Sequence, residues 1–252
     1  MYKFNKDLTL INFFRFDKMN IKNKKWSRLP KASKSIYPVI VVHCNTKGIA
    51  YPSELTLAIL SGRTPKTVRA GIAGLMYYPG FTIERYVTSR GHRALRYVLN
   101  IPPNEKGRTF NLYKCIVTGG NWSLLTPGAQ ALYPVMKTFS FFDGDEYSDR
   151  EGTEFGYDIQ GMIEAGEFQI RKYDFCNADL NILSEYAGIG KKTTINGLEK
   201  LEDNFLIKKT DPIDDRDTWK VYRVPPKIFK SDWLNEKALK RYGKTFQEKI
   251  TY

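Results

Sequence analysis

The apolar residues of "GRTPKTVRAGIAGL", residues 62–75, recur with the period of an α-helix. Val68, Ile72 and Leu75 are spaced i, i+4 and i+7, so they fall along one side of that helix. The opposite side carries small and basic residues: Lys66, Ala70 and Ala73, flanked by Thr67 and Arg69. The pattern predicts a helix that begins near Thr64 and Pro65 and has one buried side.

The segments around this helix also have regular patterns. A helix containing "SIYPV" comes first, and "PSELTLAIL", residues 52–60, predicts a second one with Pro52 in its first turn. After residue 80, "FTIERYVTSRGHRALRYVL" predicts a β-hairpin that turns around residues 89–92. The predicted order is therefore helix, helix, turn, helix and hairpin.

Three blocks of the sequence occur twice, in the same order. "WSRLPKASKSIYPV", residues 26–39, is matched by "WSLLTPGAQALYPV", residues 122–135. "GRTPKTVRAGIAGL" is matched by "GIGKKTTINGLEKL", residues 188–201, and "YVLNIPP" by "YRVPP". Ordered repeats of this length predict one fold used twice.

The second copy is longer because of an acidic segment. The offset between matched blocks grows from 96 to 126 after Phe139, where "FFDGDEYSDREGTEFGYD" begins. This segment is rich in Asp, Glu and Gly, which is typical of a loop or mobile insert. Beyond it we expect a helix capped by Asn177, a helix that starts near residues 191–193, and a second hairpin with its tip at residues 211–217.

The segments "LAILSGRTPKTVRAGIAGL" and "LSEYAGIGKKTTINGLEKLEDNFLIKK" resemble the helix-turn-helix of bacterial winged-helix DNA-binding proteins. In that motif Thr-Val-Arg or a variant opens the recognition helix and a Leu-x-x-Leu series ends it. The resemblance covers most of residues 26–103 and 122–226. Two unequal winged helices in one chain are also similar in layout to plasmid replication initiators that bind repeated origin sites.

The resemblance implies an α+β protein of two winged-helix domains related by internal duplication, each with a three-helix core and a β-hairpin wing. The predicted organisation is a flexible basic arm (1–25), the first winged helix (26–103), a linker (104–121), the second winged helix (122–226) with an acidic insert at about 140–170, and a C-terminal helix (227–252).

The positive charge lies in the first half of the chain. Residues 1–120 hold 21 Lys and Arg against 5 Asp and Glu, whereas residues 121–252 hold 19 against 22, which together give the net charge of +13. A dense basic surplus is typical of a surface that binds a polyanion, although a basic surface can also serve solubility alone.

Patterns for catalysis, metals and membranes are absent from the sequence. The glycine-rich segment is not a phosphate-binding Walker loop, because Lys192 stands where Ser or Thr is required and Glu185 where the first glycine is required. The two histidines form no metal pair or triad, and we expect His43 to pack in a helix. The three cysteines are far apart and indicate buried thiols. No apolar run approaches about 20 residues. We expect a cytoplasmic, non-enzymatic protein with no cofactor, metal or membrane partner.

The candidate DNA contacts follow from these elements. On the first recognition helix and its start, DNA contacts are expected from Arg63, Thr64, Lys66, Thr67, Arg69 and Ala70, with Arg63 and Arg69 as base readers. Phosphate contacts are expected from Lys31, Ser33 and Lys34 before the leading helix. The hairpin tip, with Arg90, His92 and Arg93, is expected over a phosphate backbone or in the minor groove, and a solvated wing is the alternative. On the second helix the candidates are Lys191, Lys192, Thr193 and Asn196. A solvated face beside a core stripe is the alternative for the first helix.

The second hairpin has the opposite charge. Its tip carries Asp211, Asp214, Asp215 and Asp217 against Arg216, and a phosphate backbone would repel it. The second copy therefore either grips DNA through its helix only or serves as a protein contact.

The sequence favours specific binding of double-stranded DNA, in replication initiation on a plasmid or phage-like element. A transcriptional regulator is the alternative within that class. A scaffold or helicase-loader partner is the alternative of another class. A homodimer or a replication protein is the further partner considered.

Overall fold

The computed structural model describes residues 13–87, 89, 91, 93–100, 108–141, 173–213, 215–223 and 225–227. This part of the chain is a mixed α+β structure with ten helices and three small antiparallel sheets. Several expectations lie outside the described residues: the side chains of Arg90, His92 and Arg93, residues 1–12 of the basic arm, most of the acidic insert, and the C-terminal helix.

The first half of the described chain, residues 13–100, contains nine elements. They are β1 Phe13–Asp17, α1 Lys18–Lys22, α2 Lys25–Arg28, α3 Lys31–Val42, β2 Ile49–Ala50, α4 Glu54–Ser61, α5 Pro65–Leu75, β3 Phe81–Val87 and β4 Arg93–Leu99.

The second half, residues 108–227, has the same order of elements. They are β5 Thr109–Tyr113, α6 Lys114–Thr118, α7 Asn121–Leu124, α8 Pro127–Thr138, β6 Tyr173–Cys176, α9 Leu180–Ala187, α10 Lys191–Asp203, β7 Ile207–Ile213 and β8 Arg216–Tyr222. From β1 through α3 each bound recurs 96 residues later, and the bounds of α4 and β3 recur 126 residues later.

Each half contributes a three-stranded antiparallel sheet in which the last strand lies in the centre. The orders are β2-β4-β3 and β6-β8-β7. A third sheet joins the halves, because β1 pairs antiparallel with β5 and places Phe13 opposite Tyr113 and Asp17 opposite Thr109. The halves therefore share backbone hydrogen bonds as well as side-chain contacts.

Hydroxyl or carboxylate side chains cap α4, α5 and α9 near the predicted positions. Ser53 caps α4 and Thr64 caps α5, each by accepting a hydrogen bond from a backbone N–H three residues later. Asp179 caps α9. The predictions that Pro52 lies in the first turn of α4 and that Asn177 caps α9 are wrong, since both residues precede the caps.

One hydrophobic core runs through both halves. The predicted stripe on α5 is confirmed for Val68 and Leu75, which are fully buried, while Ile72 packs against the core from a half-buried position. Trp26 of the first half and Trp122 of the second belong to the same buried cluster. The halves are therefore not separate hydrophobic units.

The structure corrects the predicted arm and linker. Residues 13–25 form β1, α1 and the start of α2, and Phe16 on β1 is buried and stacks on Phe110 of β5 at 5.0 Å between ring centroids. Residues 108–121, expected as a linker, form β5, α6 and the start of α7, with Ile116 and Val117 buried. Apolar residues in this arm recur at the spacing of a strand and of a helix. The lysines between them led to the prediction of a flexible arm instead.

Candidate nucleic-acid interface

A tight turn sets α5 against α4. Gly62 ends α4 with a left-handed backbone at φ 70°, which a glycine adopts without steric cost, and Thr64 then caps α5. On its inner side α5 packs against α3, where Ser33 Oγ donates a hydrogen bond to Gly71 O at 2.9 Å. The outer side of α5 is consequently presented to solvent by two supporting helices.

The outer side of α5 carries the predicted set of small and basic residues. Lys66, Arg69, Ala70 and Ala73 are exposed, whereas Val68 on the inner side is buried. Thr64 is exposed but its hydroxyl caps the helix, and Thr67 is half-buried beside it. Two cations and two methyl groups therefore share one accessible helix side.

An ion pair holds Arg69 across the start of α4. Its Nη1 lies 2.7 Å from Glu54 Oε1, and the two side chains are 64% and 38% exposed. A solvent-exposed pair contributes little to stability, about 0–1 kcal/mol. Its effect is to restrict the direction in which the guanidinium points from α5.

Arg63 is engaged in the contact between the halves. Its Nη2 donates to Leu125 O and to Gln130 Oε1, both at 2.7 Å, and the side chain is half-buried. Sequence reasoning grouped Arg63 with Arg69 as a base reader. The structure separates the two arginines, since only Arg69 projects from the outer side of α5.

Ser33 and Lys34 lie in the interior, which corrects the expectation that they meet phosphate. Lys34 is 1% exposed, and its Nζ donates to Ser27 O at 3.0 Å and to Ala187 O at 2.8 Å. Burial lowers the pKa of this amine to about 8. Lys31, at the first position of α3, is exposed as expected.

The first hairpin presents one basic residue that sequence reasoning missed. Arg85 on β3 is exposed, while Glu84 beside it pairs with Arg96 of β4. Gly91 near the tip has φ 77° and begins the return toward Arg93. Strand alternation gave no signal for Arg85, because period two places it on the side of β3 that carries the buried Phe81 and the half-buried Ile83.

Helix α10 occupies in the second half the place of α5 in the first. Lys191, Lys192 and Asn196 are exposed, as is required of DNA contacts, and Thr193 is half-buried. The same surface carries Ile195, a large apolar side chain that is 46% exposed and was not among the predicted residues. The two helices therefore present different chemistry.

The second hairpin is tighter than predicted. Strand β7 continues to Ile213 and β8 begins at Arg216, so Asp211 and Asp217 lie in strands. Asp215 sits at the turn with φ 57°, and Asp217 forms an ion pair with Lys209 at 2.8 Å. All three of these carboxylates are exposed, and Arg216 and the paired Lys209 lie beside them.

The two halves are joined by reciprocal contacts, in which equivalent residues of each half donate hydrogen bonds to the other. Trp26 Nε1 donates to Ala131 O of α8 at 2.9 Å, and Trp122 Nε1 donates to Ser35 O of α3 at 2.8 Å. Each accepting carbonyl lies three residues before a proline of its helix, Pro38 or Pro134. The N–H that each proline lacks would have bonded the carbonyl four residues before it, so it is the bend at the proline that favours acceptance from outside by the carbonyl three residues before it.

A second reciprocal contact involves the ends of α4 and α9. Lys34 Nζ donates to Ala187 O, and Gln130 Nε2 donates to Ser61 O at 2.9 Å. Close backbone approach accompanies both. A Cβ built on Gly62 or on Gly188 would lie 2.1 Å from a backbone oxygen of the other half. The Trp and the Tyr-Pro pair that recur in the two matched blocks were the sequence signal for these contacts. They were interpreted only as a sign of duplication.

Other chemistry is sparse in the described part of the chain. No cluster of His, Cys, Asp and Glu there has the geometry of a metal site. Burial raises the pKa of the Cys115 and Cys176 thiols to about 11, so neither is a reactive thiolate near neutral pH. His43 ends α3 as an exposed cap residue. Among the described helices, none is long and apolar enough to cross a membrane.

Comparison with family models, with curated proteins and with solved structures finds no match to this chain.

Proposed function

We propose that this protein binds double-stranded DNA in a sequence-specific manner through α5 and α10. The observation that carries the proposal is the exposed side of α5, where Lys66 and Arg69 flank the small residues Ala70 and Ala73 on a helix held by α3 and α4. Small side chains let a helix backbone approach the floor of a major groove, and Arg and Lys pair with guanine there.

Each half is proposed to be a winged helix. The order α3, β2, α4, α5, β3, β4 and the three-stranded sheet with β4 in its centre support this assignment in the first half. The order α8, β6, α9, α10, β7, β8 supports it in the second. On this proposal the β3–β4 hairpin is the wing that lies over the phosphate backbone, where Arg85 and Arg93 add positive charge.

The reciprocal contacts support a pseudo-two-fold relation between the halves. When residue i of one unit contacts residue j of the other and j of the first contacts i of the second, the interface has two-fold character. The Trp26 and Trp122 bonds have this form, with acceptors 96 residues apart. A two-fold pair of helices fits DNA half-sites in inverted orientation, as in dimeric helix-turn-helix proteins.

The process that we propose is replication initiation on a plasmid or phage-like element, with transcriptional regulation as the alternative. The described residues contain two helices of this type and no group of metal ligands that would serve a sensor. The location of the bound DNA separates the two processes, because origin repeats indicate an initiator and promoters a regulator.

A protein-docking role is the second candidate, and exposed apolar residues at the end of α5 favour it. Met76 and Tyr77 are 61% and 90% exposed. Aromatic and Met side chains are enriched in protein interfaces. A replication protein that docks there would be a partner in addition to DNA.

The test is selection of bound sites from a random duplex library and from fragments of the source genome. The full chain is required, because the halves share one core. Wild type is expected to enrich one sequence. The logarithm of its binding constant should fall linearly with the logarithm of salt concentration, with a slope of roughly −0.9 per phosphate contacted. Lys66→Ala should weaken binding, whereas Lys22→Ala, at an exposed lysine of α1, is the charge-matched control. Failure of wild type to enrich any sequence would contradict the proposal.

A further inference from the structure

Two residue pairs occupy equivalent positions in the halves and differ completely in chemistry. Glu54 is the first residue of α4 and Arg69 the fifth residue of α5. Leu180 is the first residue of α9 and Ile195 the fifth residue of α10. An ion pair of 2.7 Å in the first half is therefore replaced by two apolar side chains in the second.

The pair in the first half suits guanine. A guanidinium has five N–H donors in a planar fork, so one bond to Glu54 leaves donors for the O6 and N7 acceptors of guanine. Because Glu54 bonds to Nη1, the plane of the fork is restrained before DNA arrives. Glu54 is thus a positioning residue and Arg69 the residue that reads the base.

The pair in the second half suits thymine. Ile195 is 46% exposed although it is apolar, and it lies on the same surface as Lys192 and Asn196. Such a side chain cannot satisfy the hydrogen-bonding groups of guanine. An apolar contact in the major groove is available from the C5-methyl group of thymine.

We infer that the chain reads two unlike half-sites in inverted orientation, with a guanine facing Arg69 and a thymine facing Ile195 at the equivalent position. This inference rests on the proposed function, and it specifies the orientation of the half-sites and one base in each. A single chain with two-fold geometry and unlike reading residues discriminates between the two directions of its site. A homodimer of one half could not do so.

The experiment starts from the sequence that the full wild-type chain selects from a random duplex library. Each base pair of that sequence is varied, and binding is measured for wild type, Arg69→Ala, Arg69→Lys and Glu54→Gln. Arg69→Ala should remove a preference for guanine of about 5- to 150-fold at one position. Arg69→Lys keeps the charge but not the fork, and Glu54→Gln weakens the restraint, so each should reduce that preference partly.

The second arm removes one methyl group. Deoxyuridine replaces thymine at the position that the two-fold relation pairs with the guanine. Wild type should lose about 4-fold in affinity, the effect of one methyl group of buried apolar surface, whereas Ile195→Ala should show no further loss. A wild-type chain that loses nothing, or an Ile195→Ala variant that loses as much as wild type, would overturn the inference.

The outcomes are distinct from failure of the proposed function. If wild type selects no sequence, DNA reading itself is contradicted and the inference with it. If wild type selects a sequence but Arg69→Ala leaves every base preference unchanged, DNA binding stands and the inference is wrong. Reversing one half-site is the orientation control, since a chain with two-fold geometry should then lose specific binding.

Discussion

The first and second halves share their buried tryptophan contacts and expose different surfaces. Trp26 and Trp122 donate to helices at equivalent carbonyls, and Pro38 and Pro134 follow those carbonyls at the same distance. On the outer helices, however, Ala73 of α5 corresponds to Glu199 of α10. Contacts that fasten the halves allow few alternatives, whereas a surface can change with its partner. The difference supports the proposal that the first half carries more of the contact with DNA than the second.

The largest effect is expected from the two buried tryptophans. Trp26→Ala and Trp122→Ala should each lower the free energy of unfolding by about 3–5 kcal/mol, because each removes a fully buried indole and its hydrogen bond. Chemical denaturation of the full chain measures both. The two variants should lose equal free energy of unfolding if the halves are equivalent at this contact. A loss in only one variant would show that the two tryptophans are not equivalent.

The second effect concerns Lys34, whose equivalent is the uncharged Gln130. The folded-state pKa of Lys34, about 8, lies below its ordinary value of 10.5. The unfolded chain therefore binds more protons between pH 8 and pH 10.5, and stability should rise with pH across that window. The penalty for burying the charged amine is present in full below pH 8.

Lys34→Gln should abolish this dependence. The difference in unfolding free energy between wild type and variant should change by about 3 kcal/mol in favour of wild type from pH 8 to pH 10.5. Denaturation of both proteins across that range measures it. Parallel curves would mean that Lys34 keeps its ordinary pKa in the folded protein, as a charged and hydrated amine.

Substitution of Arg63 and of Arg69 should separate the effect of a contact between the halves from the effect of a surface residue. Arg63→Ala removes bonds to Leu125 and Gln130 and should cost about 1.5–3 kcal/mol of stability while it preserves base discrimination. Arg69→Ala should do the reverse, with a loss of about 1–3 kcal/mol of discrimination between selected and scrambled duplexes. Equal weakening of both duplexes by Arg69→Ala would assign it to the phosphate backbone.

The smallest effect is expected at the acidic hairpin. Asp211→Asn combined with Asp215→Asn should leave stability nearly unchanged, since both carboxylates are exposed and Asn tolerates the positive φ at position 215. Nonspecific DNA binding should increase, most at low salt where screening is weakest. Loss of selected-site binding would instead place these aspartates in recognition.

The sequence predicted the elements whose patterns are local. The stripe of Val68, Ile72 and Leu75 located α5, and the glycine after Ser61 located its turn. Residue exposure on α5 followed from the same period. Base readers and wing contacts remain predictions.

What the sequence could not reveal depends on distant partners. Lys34 and Arg63 resemble surface cations until Ala187 and Gln130 are placed beside them. Strand β1 was hidden among basic residues, because its pairing partner β5 lies almost 100 residues further along the chain. Short segments of this kind acquire their structure from tertiary contacts, which override local composition.

The interlocking tryptophans also have a consequence for biosynthesis. Trp26 and its acceptor Ala131 are separated by 105 residues of chain, and Lys34 and Ala187 by 153. At a synthesis rate of roughly 5–20 residues per second, Trp26 leaves the ribosome about 5–20 s before the helix that covers it. The nascent first half therefore exposes apolar surface for that interval. Chaperone engagement should be strongest between translation of residues 26 and 131, and fast elongation through this region should favour recovery of native protein.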